Sequence, residues 1–321
     1  MFDTSVHSEL KRKNKTFALA VSLFVIAFAA ARMVITRLYL HEAVDFYADD
    51  GNVLVLSVDY IVATCVVLIY FISFFAYKRK KESHNYSEAV DCFVQGTQAQ
   101  VFSSFLAGFL FVASSLFQAY SALNPKDAAI MQTNAPFFRQ LADYVKAYPF
   151  DVLIFFTSIL SSVYFFKTAS LGFDAGENIA DAPENATPGP KCSSAHVIFS
   201  FMPILWSFFN VFKCFFDMSK TSINSPVRIY ELMTFLAISA YFVSESRILV
   251  GRRETARFFT FAYITVIIAA ASALPNLIWS SFWILSTNSD QILYAIQLAI
   301  VAYIFSRIYS QIKYGRFFLQ R

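Results

Sequence analysis

The sequence predicts an all-α integral membrane protein, a bundle of about eight transmembrane helices with both termini cytoplasmic, formed as one polytopic domain over residues 1–321. Three observations predict it. The chain is 57% hydrophobic and only 15% charged, against about 25% charged in an average soluble domain. Its mean hydropathy is +0.51, and Phe alone contributes 38 residues. A soluble globule of this size could not cover that much apolar surface, and disorder requires the opposite composition. The apolar residues also come in runs close to the roughly 20 that a helix needs to cross a bilayer. These runs occupy 16–38, 53–77, 101–123, 149–167, 195–216, 229–250, 258–285 and 291–309. Runs such as 61–75 do not alternate at period two, so they read as helices and not as barrel strands.

Flanking charge gives the orientation. Lys11, Arg12, Lys13 and Lys15 precede the first run, and Lys78, Arg79, Lys80 and Lys81 follow the second. Arg252, Arg253 and Arg257 precede the seventh; Arg307, Lys313, Arg316 and Arg321 close the chain. Basic residues concentrate on the cytoplasmic side of short loops, so both termini are expected there. The first outer loop is acidic, with Glu42, Asp45, Asp49 and Asp50. The net charge of +4 follows from this topology, and nucleic acid is not expected as a partner.

The first run has two readings. Lys11 to Lys15, the apolar 16–26 stretch and Ala27-Phe28-Ala29 form a signal-peptide pattern, which would leave seven spans. The hydrophobicity resumes at Met33 to Ile35 and again from Leu38, favouring an uncleaved helix. Between the third and fourth runs, Phe137, Phe138, Leu141, Tyr144 and Val145 share one helical face, with Asn134 as a cap and Pro136 in the first turn. This predicts a short helix lying on the outer membrane surface or packed on the bundle. Val90, Phe93 and Val94 form a similar face before the third run. Segment 168–194, with Pro183, Pro188, Gly189 and Pro190, reads as a flexible inner loop. The seventh run would be about 42 Å long if straight, so Pro275 is expected to kink it or the helix to tilt. Trp279 and Trp283 suit the outer interface. Only Pro203 and Pro275 fall inside spans and Gly is scarce, which counts against helices broken inside the membrane.

Ionisable residues inside hydrocarbon mark pairing or functional sites. Arg32 lies about 12 Å below the outer end of the first span, and Asp59 about 10 Å below that of the second. A short loop makes the two helices antiparallel neighbours, so an Arg32–Asp59 pair is expected, either as a structural tie or as an ion or proton site. Arg37, Arg228 and Glu231 lie nearer the same surface and extend a possible cluster; Arg228 and Glu231 are spaced to satisfy each other. At the other end Glu245 and Arg247 interrupt the sixth run. Glu245 is expected to meet Arg252 or Arg253, and Arg247 to snorkel to the interface.

The enzyme motifs are missing. No HExxH, GxSxG or Walker loop occurs, Cys65, Cys92, Cys192 and Cys214 form no CxxC, and no metal or cofactor is expected. His196, near the start of the fifth run, reads as interfacial. The chain is similar in general look to multi-span bacterial membrane proteins, though no motif carries the resemblance, and a bacterial cell membrane is the expected location. Three functions remain: a non-enzymatic membrane component (a subunit, sensor or assembly partner); a small-solute or ion transporter or channel using Asp59 and Arg32; and a lipid-modifying enzyme. Besides the bilayer, a protein partner or small solute is the expected ligand class.

Overall fold

The computed structural model describes residues 4–41, 46–47, 52–78, 97–123, 137–180, 193–216, 226–250, 255–279 and 288–314. They form helices apart from one two-residue antiparallel pairing. Helix α1 spans Thr4–Tyr39 and leads into β1, Leu40–His41, which pairs with β2, Phe46–Tyr47. The remaining helices are α2 (Asn52–Lys78), α3 (Gln98–Leu123), α4 (Phe137–Ala147), α5 (Pro149–Ala180) and α6 (Ser194–Phe199). They are followed by α7 (Met202–Phe216), α8 (Pro226–Leu249), α9 (Thr255–Trp279) and α10 (Asn288–Tyr314). Among the described residues eight helical stretches are long and apolar enough to cross a membrane, α6 and α7 together making the fifth. The bundle has a hairpin end, where β1 and β2 join α1 to α2, and a terminal end, where α1 begins and α10 finishes.

Six of the spans close into a ring. Its order of packing is α3, α5, α7, α8, α9, α10 and back to α3, with α1 and α2 laid against the outside of α9. Helix α9 is therefore covered from both sides. Its small and branched residues (Val266, Ile267, Ala269, Ala271 and Ala273) are almost fully buried. In lipid, close packing and hydrogen bonding hold helices together, because lipid chains are as apolar as the side chains they touch. The ring shows both. On α3 the buried face is Ser103, Ser104, Ala107, Gly108 and Ser115, and a Cβ at Gly108 would sit 2.8 Å from the Phe166 ring of α5. Where α3 meets α10, hydroxyls pair across the seam: Ser103 with Ser306 at 2.9 Å and Thr97 with Ser310 at 3.0 Å.

The centre of the ring is filled with aromatic side chains. Ring contacts join helices that are not neighbours in the circuit: Phe165 to Tyr303 (α5 to α10, 5.1 Å), Phe165 to Phe242 (α5 to α8, 5.9 Å) and Phe111 to Trp206 (α3 to α7, 4.9 Å). All of these residues are fully buried. Edge-to-face geometry prevails, as the aromatic quadrupole favours.

Two expectations change. Segment 168–194 is not loop throughout: α5 continues to Ala180, because nothing before Pro183 forbids a helix. Its 32 residues reach about 48 Å, so its end projects beyond a hydrocarbon core of about 30 Å. The rest of that segment through 192 lies outside the described residues. Secondly, despite the scarcity of Gly, the fifth span is broken. Helix α6 stops at Phe199, and α7 begins at Met202, because Pro203 has no N–H for the Phe199 carbonyl. Ser200, at the break, bonds Ser246 of α8 through its hydroxyl at 2.9 Å and its carbonyl at 3.1 Å. Helix α9 runs through Pro275 as far as Trp279; residues 280–285 of the expected span, with Trp283, lie outside the described residues, as do Val90, Phe93 and Val94. The 137–147 helix forms, leaving Phe138, Leu141 and Val145 exposed and burying Tyr144.

Candidate functional site

Two charged clusters lie inside the bundle, one toward each end, and α8 contributes to both. At the hairpin end the short connection between α1 and α2 brings Arg32 and Asp59 together at 2.9 Å. Arg32 is only 4% exposed. Its guanidinium lies over the Tyr230 ring of α8 at 3.8 Å, and the Tyr230 hydroxyl donates to the same Asp59 Oδ1 at 2.6 Å. One carboxylate oxygen thus ties α1, α2 and α8. Arg37 stands over the Trp279 ring at 5.3 Å, while the Trp279 Nε1 donates to the Met33 carbonyl at 3.1 Å. Trp279 therefore packs on α1.

Arg228 and Glu231 each reach another helix. Arg228 donates from Nε and from Nη2 to the Cys214 carbonyl in the last turn of α7, where a cation complements the helix dipole. Glu231 accepts the Tyr294 hydroxyl from α10.

At the terminal end Glu245 is 0% and Arg307 2% exposed. Glu245 meets Arg307 of α10, with Arg307 Nε 3.2 Å from Glu245 Oε1; the expected partners Arg252 and Arg253 lie outside the described residues. The Tyr303 hydroxyl donates to the same oxygen at 2.6 Å and accepts from Arg307 Nε at 2.9 Å. Tyr164 of α5 lies within 3.3 Å of the Tyr303 hydroxyl. With its amide oriented to satisfy its neighbours, Gln100 of α3 accepts from Arg307 Nε at 3.2 Å. His196 of α6 is 2% exposed and stacks on Tyr164 at 5.1 Å, so the residue expected at the interface is inside the protein. Its backbone N–H is capped by Ser193 Oγ at 3.3 Å. Arg247 is partly exposed near the end of α8.

The terminal cluster keeps unused hydrogen-bonding capacity. Glu245 Oε2, the Tyr241 hydroxyl and His196 Nδ1 are buried without a hydrogen-bond partner among the described residues. So are both amide atoms of Gln297 and Trp206 Nε1, deeper in the ring. A native fold seldom leaves such groups unmatched, because each costs about 1–3 kcal/mol. Among the described residues no three His, Cys, Asp or Glu side chains cluster as a metal site. The chemistry offered is that of one enclosed carboxylate, one guanidinium and the hydroxyls around them: ion pairing, hydrogen bonding and proton exchange.

Sequence reading missed Tyr164, Tyr241, Tyr303 and Arg307 as members of this site. Their signal was a polar stripe at helical spacing, Tyr303, Arg307 and Gln311 on α10, facing Ser244 and Glu245 on α8. Outside the spans, Tyr144 of α4 has its phenol pushed above the ordinary 10.0, by burial first and then by the nearby Asp151 carboxylate. Asp151 in turn pairs with Lys213 at 2.6 Å. No protein-family model, curated protein or solved structure matches the chain.

Proposed function

We propose that this multi-pass membrane protein carries a small solute or ion across the bilayer through its six-helix ring, with Glu245, Arg307 and the surrounding tyrosines as the binding site. One observation carries the reading: a fully buried ion pair joins α8 to α10 inside the ring, and one of its carboxylate oxygens makes no hydrogen bond among the described residues. A buried pair is seldom the most stable filling for an apolar interior, and ionisable residues at such depth belong to pathways by default. The break between α6 and α7 beside Ser246 adds support, since carriers place helix breaks at their sites. The basic residues flanking the terminal end support placing that end in the cytoplasm of a cell membrane.

The test is flux into liposomes containing the purified chain, over a panel of small solutes and ions. Glu245→Gln should abolish flux, while Asp59→Asn should leave the flux per folded molecule intact. Equal loss in both variants would move the site to Asp59 and Arg32, and no flux for any solute would remove the reading.

A second reading, the non-enzymatic membrane component, rests on α2. That helix packs lightly, with Val53, Leu54, Tyr60, Ile61, Val67 and Leu68 exposed. A stoichiometric protein partner in native mass spectrometry, cross-linked through α2, would favour it. A lipid-modifying enzyme would need polar groups converging at one interface, whereas the described ones converge inside the ring.

A further inference from the structure

We infer that the ion exchanged at this site is a proton, taken up on Oε2 of Glu245. The inference rests on the transport reading and names its coupling ion. Glu245 has no exposed surface, and Oε2 is enclosed by protein. A solute would need space against that oxygen, and a metal cation would need several further oxygens around it. A proton needs neither.

The two oxygens of Glu245 are held differently. Oε1 is fixed by the Tyr303 hydroxyl and by Arg307. Among the described residues Oε2 accepts no hydrogen bond, and the hydroxyl of Tyr241, one turn earlier on the same face of α8, stands beside Glu245 and likewise makes none. The Tyr241 hydroxyl can donate to the ionised Oε2, and once Oε2 carries a proton its O–H can donate to the Tyr241 oxygen, so the pair offers a match in both protonation states.

The groups facing Glu245 are Arg307 and Tyr303 from α10, Tyr241 from α8 and Tyr164 from α5. Behind them stand His196 of α6, stacked on Tyr164, and Lys167 of α5, whose ammonium lies over the Phe199 ring. The hydroxyls of Tyr164 and Tyr303 can each donate and accept, so together they form a hydrogen-bonded chain that ends on Oε1 of Glu245.

The step balances simply. A proton from water adds to the carboxylate, the O–H bond forms on Oε2, and the site passes from neutral overall to a single positive charge on Arg307. The attraction drawing α8 to α10 is then gone. That change falls on the pair of helices flanking α9 in the ring, next to the break between α6 and α7.

The experiment is infrared difference spectroscopy on the full chain in lipid, titrated from about pH 9 to about pH 4, where carboxyl groups change state. Wild type should gain the C=O band of a carboxylic acid shielded from water, at higher frequency than the band of the exposed carboxyl groups that protonate near about pH 4. Glu245→Gln should lose it, and Glu231→Gln should keep it. A band that survives Glu245→Gln, or no band in wild type, overturns the proposal. Should Glu245→Gln fail to fold, Tyr303→Phe serves instead: it removes the donor to Oε1 and must shift the band, and an unmoved band overturns the assignment. The same samples are assayed for flux. Flux without the band, or flux driven by sodium at constant pH, leaves the carrier reading standing and removes the proton. The band without flux removes the carrier and leaves the proton site.

Discussion

The bundle builds the same three-residue arrangement twice. Near the hairpin end Arg32 and Tyr230 both address Oδ1 of Asp59, at 2.9 and 2.6 Å. Near the terminal end Arg307 and Tyr303 both address Oε1 of Glu245, at 3.2 and 2.6 Å. The parts are equal in chemistry and differ in enclosure. The Asp59 side chain is 30% exposed, and that of Glu245 is 0%. The first carboxylate sits in the α1–α2 pair, tying it to α8 with its side chain partly exposed. The second lies across the middle of the ring with its other oxygen shut in. A guanidinium, a carboxylate and a tyrosine thus make a fastening at the edge of a bundle and a responsive site at its centre.

The strongest way to break the comparison is to remove one charge from each cluster. Arg307→Met leaves Glu245 buried without its counter-ion, at a cost of about 3–5 kcal/mol, seen as a large fall in melting temperature in detergent. Replacing Glu245 and Arg307 together by Leu should restore the stability, since an apolar pair fills the same space without desolvated charge, and flux should stay at background. If the double variant is as unstable as the single one, the ion pair is itself the fastening, and the contrast drawn above is lost.

Asp59→Asn removes the counter-ion of Arg32 but should cost less, about 1–3 kcal/mol, because the amide oxygen can still accept from Tyr230 and from Arg32 at a side chain that is 30% exposed. The measurement is the melting temperature set beside the flux per folded molecule, the first falling and the second unchanged. Gly108→Ala should cost about 1–3 kcal/mol by overpacking against Phe166, and Phe166→Leu in the same chain should recover most of it. Recovery would locate the strain at the seam between α3 and α5.

The smallest effect concerns α4. Tyr144 holds its proton above the ordinary 10.0 in the folded chain. The folded state therefore binds more protons than the unfolded state at alkaline pH, and stability falls as pH rises past about 10. The contribution is fully present below that pH. Tyr144→Phe should flatten the alkaline limb of a stability–pH curve without altering it near neutrality.

Hydropathy along the chain was enough to find the eight spans and the 137–147 helix, since length and periodicity are local properties. The Arg32–Asp59 neighbourhood was legible for a related reason: the loop between α1 and α2 is short, so depth can be counted from a shared end. The ring was not legible. Its closure joins α3 to α10, and Glu245 is bonded to Tyr303, 58 residues further along the chain. Apolar content cannot tell which faces meet at such separations. The tyrosines were hidden by abundance, because a chain with 17 Tyr and 38 Phe makes each look like filling. The break after α6 was undervalued because Pro203 was counted as one of only two prolines inside spans, when a single proline sufficed.

The seam between α3 and α10 also sets a clock on biosynthesis. Ser103 and its partner Ser306 are 203 residues apart, and translation proceeds at about 5–20 residues per second. Between about 10 and 40 seconds pass after Ser103 is made before Ser306 exists to meet it. During that interval α3 has its serine stripe turned toward whatever the insertion machinery supplies, and the ring stays open. A nascent chain stopped short of α10 is thus an unclosed bundle with its most polar seam bare, and quality-control proteases that survey the membrane would have that seam to read.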